Sequence, residues 1–125
     1  MKKKILLIGS TGFIGRNLRS YLKKYYSIYN LNRKLLIKNS KNISCDISKI
    51  DTLKKKISIL PKFDYVINLS GQAQDNKSKM YKNIYIGNKN IIKCFNKTDT
   101  ILVFFSTTLV YGHSNFYSNT KSILR

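Results

Sequence analysis

A tyrosine and a lysine stand four positions apart near the end of the chain, Tyr117 and Lys121 in the stretch FYSNTKS. On a helix, residues i and i+4 share a face, so both side chains could contact one ligand. A free tyrosine has a pKa of about 10, and a nearby lysine cation lowers that pKa by stabilising the phenolate. The pair could therefore exchange a proton with a substrate hydroxyl. In so lysine-rich a chain the spacing also arises by chance, and Tyr85 and Lys89 repeat it, so position must decide between the two pairs.

A second candidate site is the glycine-rich stretch GSTGFIG, residues 9–15. It follows an apolar run and precedes apolar residues at helical spacing, which is the context in which such a loop binds phosphate. Gly9 would permit a tight turn, Gly12 a close approach of the backbone to a pyrophosphate, and Gly15 close packing of the helix. The N-terminus of that helix would offer free N–H groups and a positive dipole to the anion. The alternative is a glycine-rich turn without a function.

The elements that must position these residues follow from the hydrophobic pattern. Short apolar runs predict strands, and apolar residues three or four apart predict helices between them. The predicted strands are 4–9, 27–31, 42–45, 65–69 and 101–105, and the predicted helices are 14–24, 50–60, 80–95 and a last one from about residue 117. Ser48 and Asp51 form an S-x-x-D pattern that predicts a cap for the second helix, and Pro61 ends that helix.

Strands that alternate with helices of this length indicate a parallel sheet with right-handed crossovers and helices on both faces. We therefore predict a three-layer α/β fold with the strand order 3-2-1-4-5. Open sheets of this kind bind ligands at the carboxyl ends of their strands. Tyr117 and Lys121 follow the fifth strand and are expected at that edge, whereas Tyr85 and Lys89 lie inside the helix between strands four and five.

Composition limits the class of protein. The 125 residues suit one domain, and the run Ile5–Ile8 is shorter than the ~7–15 residues of a signal core and the ~20 residues of a membrane span. Cys45 and Cys94 have no metal or redox spacing, which indicates a cytoplasmic protein with buried thiols and no metal site. The net charge of +19 comes from 24 Lys and Arg against five acidic residues. Compositional drift and attraction to polyanions both explain this charge, and the scatter of the lysines favours drift.

Four stretches, in order along almost the whole chain, resemble the NAD(P)-dependent epimerase/dehydratase family, the extended branch of the short-chain dehydrogenase/reductases. The stretch ILLIGSTGFIGRNL is similar to the family's first strand and nucleotide loop, and its glycines are spaced G-x-x-G-x-x-G. The stretch CDIS at 45–48 is similar to the family's segment that lies near the adenine. The stretch FDYVINLSGQAQ resembles the family's fourth strand and the loop after it. The stretch FFSTTLVYG at 104–112 resembles the family's fifth-strand motif. The resemblance implies an NAD(P)-binding Rossmann domain over residues 1–125, truncated before the family's C-terminal substrate domain.

By this resemblance the catalytic trio would be Thr107, four residues before Tyr111 of the V-Y-G motif, together with Tyr117 and Lys121. Tyr117 would exchange the proton of a sugar hydroxyl while hydride passes to or from the nicotinamide. Lys121 would also hold the nicotinamide ribose, and Thr107 would bind the substrate oxygen. Residues implied to contact the cofactor are Gly9, Thr11, Gly12, Phe13, Ile14, Gly15, Asn32, Arg33, Asp46, Ile47, Leu69, Ser70, Gly71, Tyr117 and Lys121.

The implied cofactor is NADP or NAD, and the end of the second strand favours NADP. Members that prefer NAD carry an acidic residue there, whereas this chain has Asn32 and Arg33, and an arginine can bind the 2′-phosphate of NADP. The helix before strand five departs from the family's pattern, in which an asparagine stands three residues before a glycine. Here Ile84 stands three residues before Gly87, and Asn83 is one place off.

The resemblance also implies a nucleotide-sugar substrate, with epimerisation, dehydration or reduction as the outcome. Because the chain ends soon after Tyr117, an active oxidoreductase and a truncated, inactive dinucleotide-binding protein both stay open. A homodimer, or a partner that supplies the missing C-terminal half, is compatible with both of these functions. A basic nucleic-acid-binding module is a distant alternative, since the lysines are not clustered on one stretch. We expect no membrane partner.

Overall fold

The computed structural model describes residues 1–34, 37, 39–71 and 77–105. Its five strands form one parallel sheet in the order β3-β2-β1-β4-β5. The strands are β1 (Lys4–Ile8), β2 (Ser27–Asn32), β3 (Asn42–Ser44), β4 (Tyr65–Asn68) and β5 (Ile101–Phe104). The predicted α/β fold, with its parallel sheet and strand order, is confirmed.

Helices join β1 to β2, β3 to β4 and β4 to β5. The connection between β4 and β5 contains one continuous helix whose middle is π-helical. The helical elements are α1 (Phe13–Leu22), α2 (Ile50–Ser58), α3 (Lys77–Met80), the π-helical segment (Tyr81–Ile86) and α4 (Gly87–Phe95). The predicted last helix falls on residues that the structure does not describe.

The central strand β1 is buried on both faces, as its continuous apolar sequence predicts. Leu6 and Ile8 belong to the larger core cluster, which includes side chains of α2 and α4. Ile5 and Leu7 belong to a second cluster on the other face, against which the α1 residue Leu18 packs. Helices therefore cover both faces of the sheet, and the side chains of β1 anchor the loop that follows it.

The start of α2 differs from the prediction, because Ser48 does not cap the helix. The residue that precedes α2 is Lys49, and no side chain bonds the first N–H groups. The Ser48 hydroxyl instead donates to Asp46 Oδ1 over 2.7 Å, and its backbone N–H donates to the same oxygen over 3.0 Å. An aspartate readily forms such a local turn with the residue two positions on, and with this turn in place Lys49, not Ser48, occupies the N-cap position of α2.

In the part of the chain that the structure describes, we find no helix with both the length and the apolar character that crossing a bilayer requires.

Candidate functional site

A pocket of about 590 Å³ opens at the carboxyl ends of β1 to β4, the edge at which open parallel sheets bind ligands. Its walls come from the loop after β1, the ends of β2 and β3, the loop after β4 and the π-helical segment. Among the described residues, the lining consists of Ile8, Gly9, Thr11, Gly12, Leu31, Asn32, Arg33, Lys34, Cys45, Asp46, Ile47, Leu69, Ser70, Gly71 and Asn83. The structure thus brings together most of the residues that sequence predicts to contact a cofactor.

The loop after β1 is shaped by backbone contacts that leave no room for a side chain. Gly9 has a φ of +79°, which favours glycine, and a Cβ there would lie 2.8 Å from the backbone nitrogen of Ser70. A Cβ on Gly15 would lie 2.5 Å from the carbonyl oxygen of Gly9 and 2.7 Å from Ser10 Cα. The first turn of α1 therefore lies directly against the loop, and the loop lies directly against the residues that follow β4.

The N-terminus of α1 faces the pocket without an acidic or capping side chain. Gly12 precedes the helix in an extended conformation, and its carbonyl oxygen accepts the first helical bond, from the Arg16 N–H over 2.9 Å. The N–H groups of the first turn have no partner within the helix and suit an anion. The side chains of Phe13 and Ile14 are exposed, Gly15 is buried, and none of these three predicted contact residues is part of the described pocket wall.

Asn32 braces the glycine loop from the end of β2. Its Nδ2 donates to Ser10 Oγ over 2.8 Å, and Ser10 is fully buried. The Gly9 N–H donates to the carbonyl oxygen of Leu31 over 3.1 Å. Sequence predicts only a ribose contact for Asn32, and the structure adds this supporting role. One N–H of Nδ2 is engaged with Ser10, so Oδ1 and the second N–H are the groups that could bind a ribose hydroxyl.

Two cations follow β2 at the side of the pocket next to β3. Arg33 and Lys34 both line the pocket, and the hydroxyl of Ser44 fixes the Arg33 backbone by donating to its carbonyl oxygen over 3.0 Å. The guanidinium donates through Nη2 to Asn83 Oδ1 over 2.5 Å. The Arg33 side chain therefore reaches from the end of β2 to the π-helical segment.

Asp46 is the carboxylate on this side of the pocket. Its partial burial would raise the pKa of the carboxyl. Hydrogen bonds from the hydroxyl and N–H of Ser48, and the charges of Arg33 and Lys49, outweigh that burial and hold the pKa below its usual value. Asp46 is therefore ionised at neutral pH and is an acceptor for a ligand's N–H or hydroxyl groups.

Buried asparagines, which sequence analysis missed, attach the long helix to the ends of the strands. Asn90 Nδ2 donates to the carbonyl oxygen of Ile47, just after β3, over 2.8 Å. Asn68 at the end of β4 donates through Nδ2 to Asn88 Oδ1, and all three asparagines are buried. The sequence signal for these contacts was the presence of asparagines among the apolar residues of a helical pattern. A buried amide needs a hydrogen-bond partner, so such asparagines indicate contacts with neighbouring elements.

Asn83 is also buried, and it is the only wall residue contributed by the helix among those the structure describes. The sequence places it one position away from the expected spacing before Gly87. The helix between these residues is π-helical, and the N–H of Gly87 donates to the carbonyl oxygen of Lys82, five residues back. A π-helical turn holds more residues than an α-helical one, so spacing along the sequence does not predict which side chain faces the pocket.

The two cysteines are free thiols, Cys45 buried and Cys94 partly buried. Burial raises the pKa of both thiols, and the charge of Asp46 raises that of Cys45 further. Although Cys45 lines the pocket, it is a neutral thiol at neutral pH and a poor nucleophile. Within the described ranges no group of three or more His, Cys, Asp or Glu could hold a metal ion.

The predicted catalytic residues Thr107, Tyr117 and Lys121 lie outside the described residues, so their assignment stays a prediction. The competing pair does lie within them. Lys89 Nζ lies 5.3 Å from the centroid of the Tyr85 ring, and that ring stacks on Tyr81 one helical turn away. These side chains pack along the helix and are not part of the described pocket wall.

Comparison with known proteins supports the fold and identifies the family. No curated protein sequence matches the chain. Among solved structures, the chain is similar to uronate dehydrogenase from Agrobacterium tumefaciens, with a TM-score of 0.84 and 16% identity over 97% of this chain and 52% of that one. It is also similar to L-threonine dehydrogenase from Phytophthora infestans, with a TM-score of 0.85 and 19% identity over 98% of this chain and 47% of that one.

A short-chain dehydrogenase/reductase superfamily protein from Agrobacterium tumefaciens, solved with bound NAD, has a TM-score of 0.82 and 16% identity over 96% of this chain and 42% of its own. The chain therefore spans about half the length of these solved structures. The model of the NAD dependent epimerase/dehydratase family matches residues 5–123, and the chain belongs to this family.

Proposed function

We propose that residues 1–125 constitute the NAD(P)-binding domain of an oxidoreductase that acts on a nucleotide sugar. The observation that carries this proposal is the backbone cradle between Gly9 and Gly15, which opens into a pocket at the carboxyl ends of the strands. Because Gly9 and Gly15 carry no Cβ, the loop and the first turn of α1 pack closely on each other and on the chain after β4, which holds the N-terminus of α1 at the pocket. The free main-chain N–H groups there suit a pyrophosphate.

The pocket residues fit the parts of a dinucleotide in order along the sheet edge. The loop at 9–12 and the first turn of α1 would hold the pyrophosphate, and Asn32 would bind a ribose hydroxyl. Asp46 and Ile47 would lie at the adenine, and residues 69–71 after β4 would lie toward the nicotinamide. The bound NAD in the similar short-chain dehydrogenase/reductase structure supports a dinucleotide as the ligand.

We favour NADP over NAD because of the charges at the end of β2. Arg33 and Lys34 both line the pocket there, and a guanidinium can make two parallel hydrogen bonds to a phosphate. An acidic residue at this place would repel the 2′-phosphate, and the end of β2 carries none. Asp46 follows β3 and is ionised, so the two cations outnumber the one carboxylate on this side of the pocket.

The nicotinamide, when bound, supplies hydride transfer. For the chain's own residues we propose that Tyr117 exchanges a proton at Oη with a substrate hydroxyl. Lys121 would lower the pKa of that phenol, and Thr107 would donate to the substrate oxygen. The likeness to uronate dehydrogenase and to L-threonine dehydrogenase supports the broader class, a dehydrogenase.

Turnover depends on more than this pocket, because the chain spans about half of the solved structures that it resembles. A second copy of the chain, or a C-terminal half supplied by a partner, would complete the substrate side. Dinucleotide binding without turnover is therefore the second candidate function. The two candidates share the pocket.

The proposal is tested by titrating the folded chain with NADPH and NADH while following the emission of the nicotinamide, since the chain contains no tryptophan. We expect saturable binding of both, with NADPH the tighter ligand. Lys34→Ala should weaken NADPH binding, whereas Lys55→Ala, which removes the same charge from an exposed position on α2, should not.

Titrations at two salt concentrations separate specific contacts from the general attraction of a protein with net charge +19. If the folded chain binds neither nicotinamide dinucleotide, the proposal is wrong. Strongly salt-dependent binding of DNA in the same sample would then favour the nucleic-acid alternative.

A further inference from the structure

We infer that Asn83 is a positioning residue that sets the preference for NADP by holding the Arg33 guanidinium at the 2′-phosphate position. This inference rests on the proposed binding of NADP. It concerns a residue that does not contact the reacting atoms and that lies fifty positions from Arg33 along the chain.

Arg33 is an exposed residue with a long side chain, and such a side chain loses much rotamer freedom when it is held in one place. The bond from Nη2 to Asn83 Oδ1 supplies the restraint. Because a guanidinium has five N–H groups and only donates, the amide oxygen must face it, and the other donors stay available for a phosphate. The oxygen of an amide is neutral, so Asn83 orients the cation without cancelling its charge.

Asn83 is itself held firmly. It is 9% exposed and belongs to the helix that Asn90 attaches to the carbonyl oxygen of Ile47. On the same side of the helix, Gly87 lies so close to Ile47 that an added Cβ would be 2.6 Å from Ile47 Cδ1. The amide oxygen therefore has a fixed position relative to the ends of β2 and β3.

Asp46 is the other group that attracts Arg33. The charge of Arg33 helps to lower the pKa of Asp46, yet among the described residues these two side chains form no direct salt bridge. If the bond to Asn83 were lost, the guanidinium would be free to move toward the carboxylate, and a direct pair would neutralise the charge that a phosphate needs. Asn83 therefore keeps Arg33 in place and also keeps it apart from Asp46.

The test compares the ratio of dissociation constants for NADH and NADPH in four proteins: wild type, Arg33→Ala, Asn83→Ala and Asn83→Asp. Arg33→Ala removes the phosphate contact and should reduce the preference for NADPH by about 10- to 100-fold. Asn83→Ala frees the Arg33 side chain and should reduce the preference for NADPH by about 2- to 10-fold, because NADPH binding weakens more than NADH binding. Asn83→Asp keeps an acceptor but adds a negative charge beside the phosphate, so it should reduce the preference more than Asn83→Ala.

A second measurement reports on Arg33 without any cofactor. The chain has four arginines, so the side-chain nitrogen signals of Arg33 can be assigned by comparison with Arg33→Ala. In the free wild-type protein, the bond to Asn83 should slow rotation of the guanidinium relative to Asn83→Ala. A structural role of Asn83 alone would lower the affinities for NADH and NADPH equally.

The outcomes are distinguishable. If the wild type shows no preference for NADPH, the proposed cofactor is wrong and the inference falls with it. If the wild type and Arg33→Ala differ as expected but Asn83→Ala keeps the full preference, NADP binding stands and only the role of Asn83 is refuted. Loss of preference in Asn83→Ala, together with faster rotation of the Arg33 guanidinium, supports the inference.

Discussion

Replacing Gly15 by alanine tests the close contact between α1 and the nucleotide loop. The added Cβ would lie 2.5 Å from the Gly9 carbonyl oxygen, about 1 Å less than an ordinary contact. Its neighbours are backbone atoms of Gly9 and Ser10, so the helix must shift as a body. Overpacking of this kind costs about 1–3 kcal/mol, and alanine regains about 1 kcal/mol over glycine inside a helix. Because backbone atoms yield least, we expect a net loss of about 1–2 kcal/mol in the free energy of unfolding.

Gly87→Ala is the matched control. Both glycines are helical, and both substitutions gain the same helix propensity. The Cβ at position 87 would contact Ile47 Cδ1 and Cγ1, which belong to a side chain that can rotate away. We expect its stability to stay within about 0.5 kcal/mol of the wild type.

Urea unfolding followed by circular dichroism measures the free energy of unfolding of both variants. In thermal unfolding, the Tm of Gly15→Ala should be lower than that of the wild type by about 4–8 °C. NADPH binding should weaken more in Gly15→Ala than in Gly87→Ala, because Gly15→Ala moves the phosphate loop itself, whereas Gly87→Ala displaces only the Ile47 side chain in the pocket wall. If Gly15→Ala is as stable as Gly87→Ala, α1 can shift away from the loop at no cost, and the argument for a tightly packed cradle fails.

Two further predictions concern ionisable groups beside the pocket. Because the pKa of Asp46 is lowered in the folded state, its carboxylate stabilises the protein above the unfolded value of about 3.9 and loses this effect as the pH falls through the lower folded value. Urea unfolding from neutral to acid pH should therefore show a stability advantage of the wild type over Asp46→Asn that disappears at acid pH; a constant difference would contradict this. Burial raises the pKa of Cys45 and Cys94, so iodoacetamide should label both slowly in the folded chain at neutral pH and rapidly in urea, and NADPH should further protect Cys45, which lines the pocket. Prompt labelling of the folded chain would show that these thiols are more accessible than the structure indicates.

The sheet could be predicted from the sequence because its signals are local and strong. The run KILLI is apolar throughout and becomes the central strand, buried on both faces. The helical stripes around Leu18 and Leu53 supply the layers on either face of that strand. Parallel strands joined by helices leave few topologies, so the order of the strands followed from the order of the elements.

The polar contacts of the site could be predicted only in part. The positive φ of Gly9 and the tight packing of Gly15 agree with the roles that their spacing indicates. The role of Asn32 in bracing Ser10 was not predictable, because it depends on a contact between residues twenty-two positions apart. Ser48 was wrongly predicted as a cap, because the local turn with Asp46 precedes the helix and Lys49 takes the N-cap position, whereas the S-x-x-D pattern does not include Asp46.

The long helix after β4 explains why sequence spacing failed at Asn83. Hydrogen bonds attach this helix to the end of β4 through Asn88 and to the chain after β3 through Asn90. Two anchors on α4 fix the rotation of the helix about its axis at that end, and the π-helical turn before them then decides which residue faces the pocket. Asn83 lies in this π-helical segment, and its amide oxygen accepts from the Arg33 guanidinium. With the π-helical turn in place, the helix makes the hydrogen bonds of Asn88 and Asn90 and the contact between Asn83 and Arg33 together. The spacing of residues along the sequence does not predict this combination.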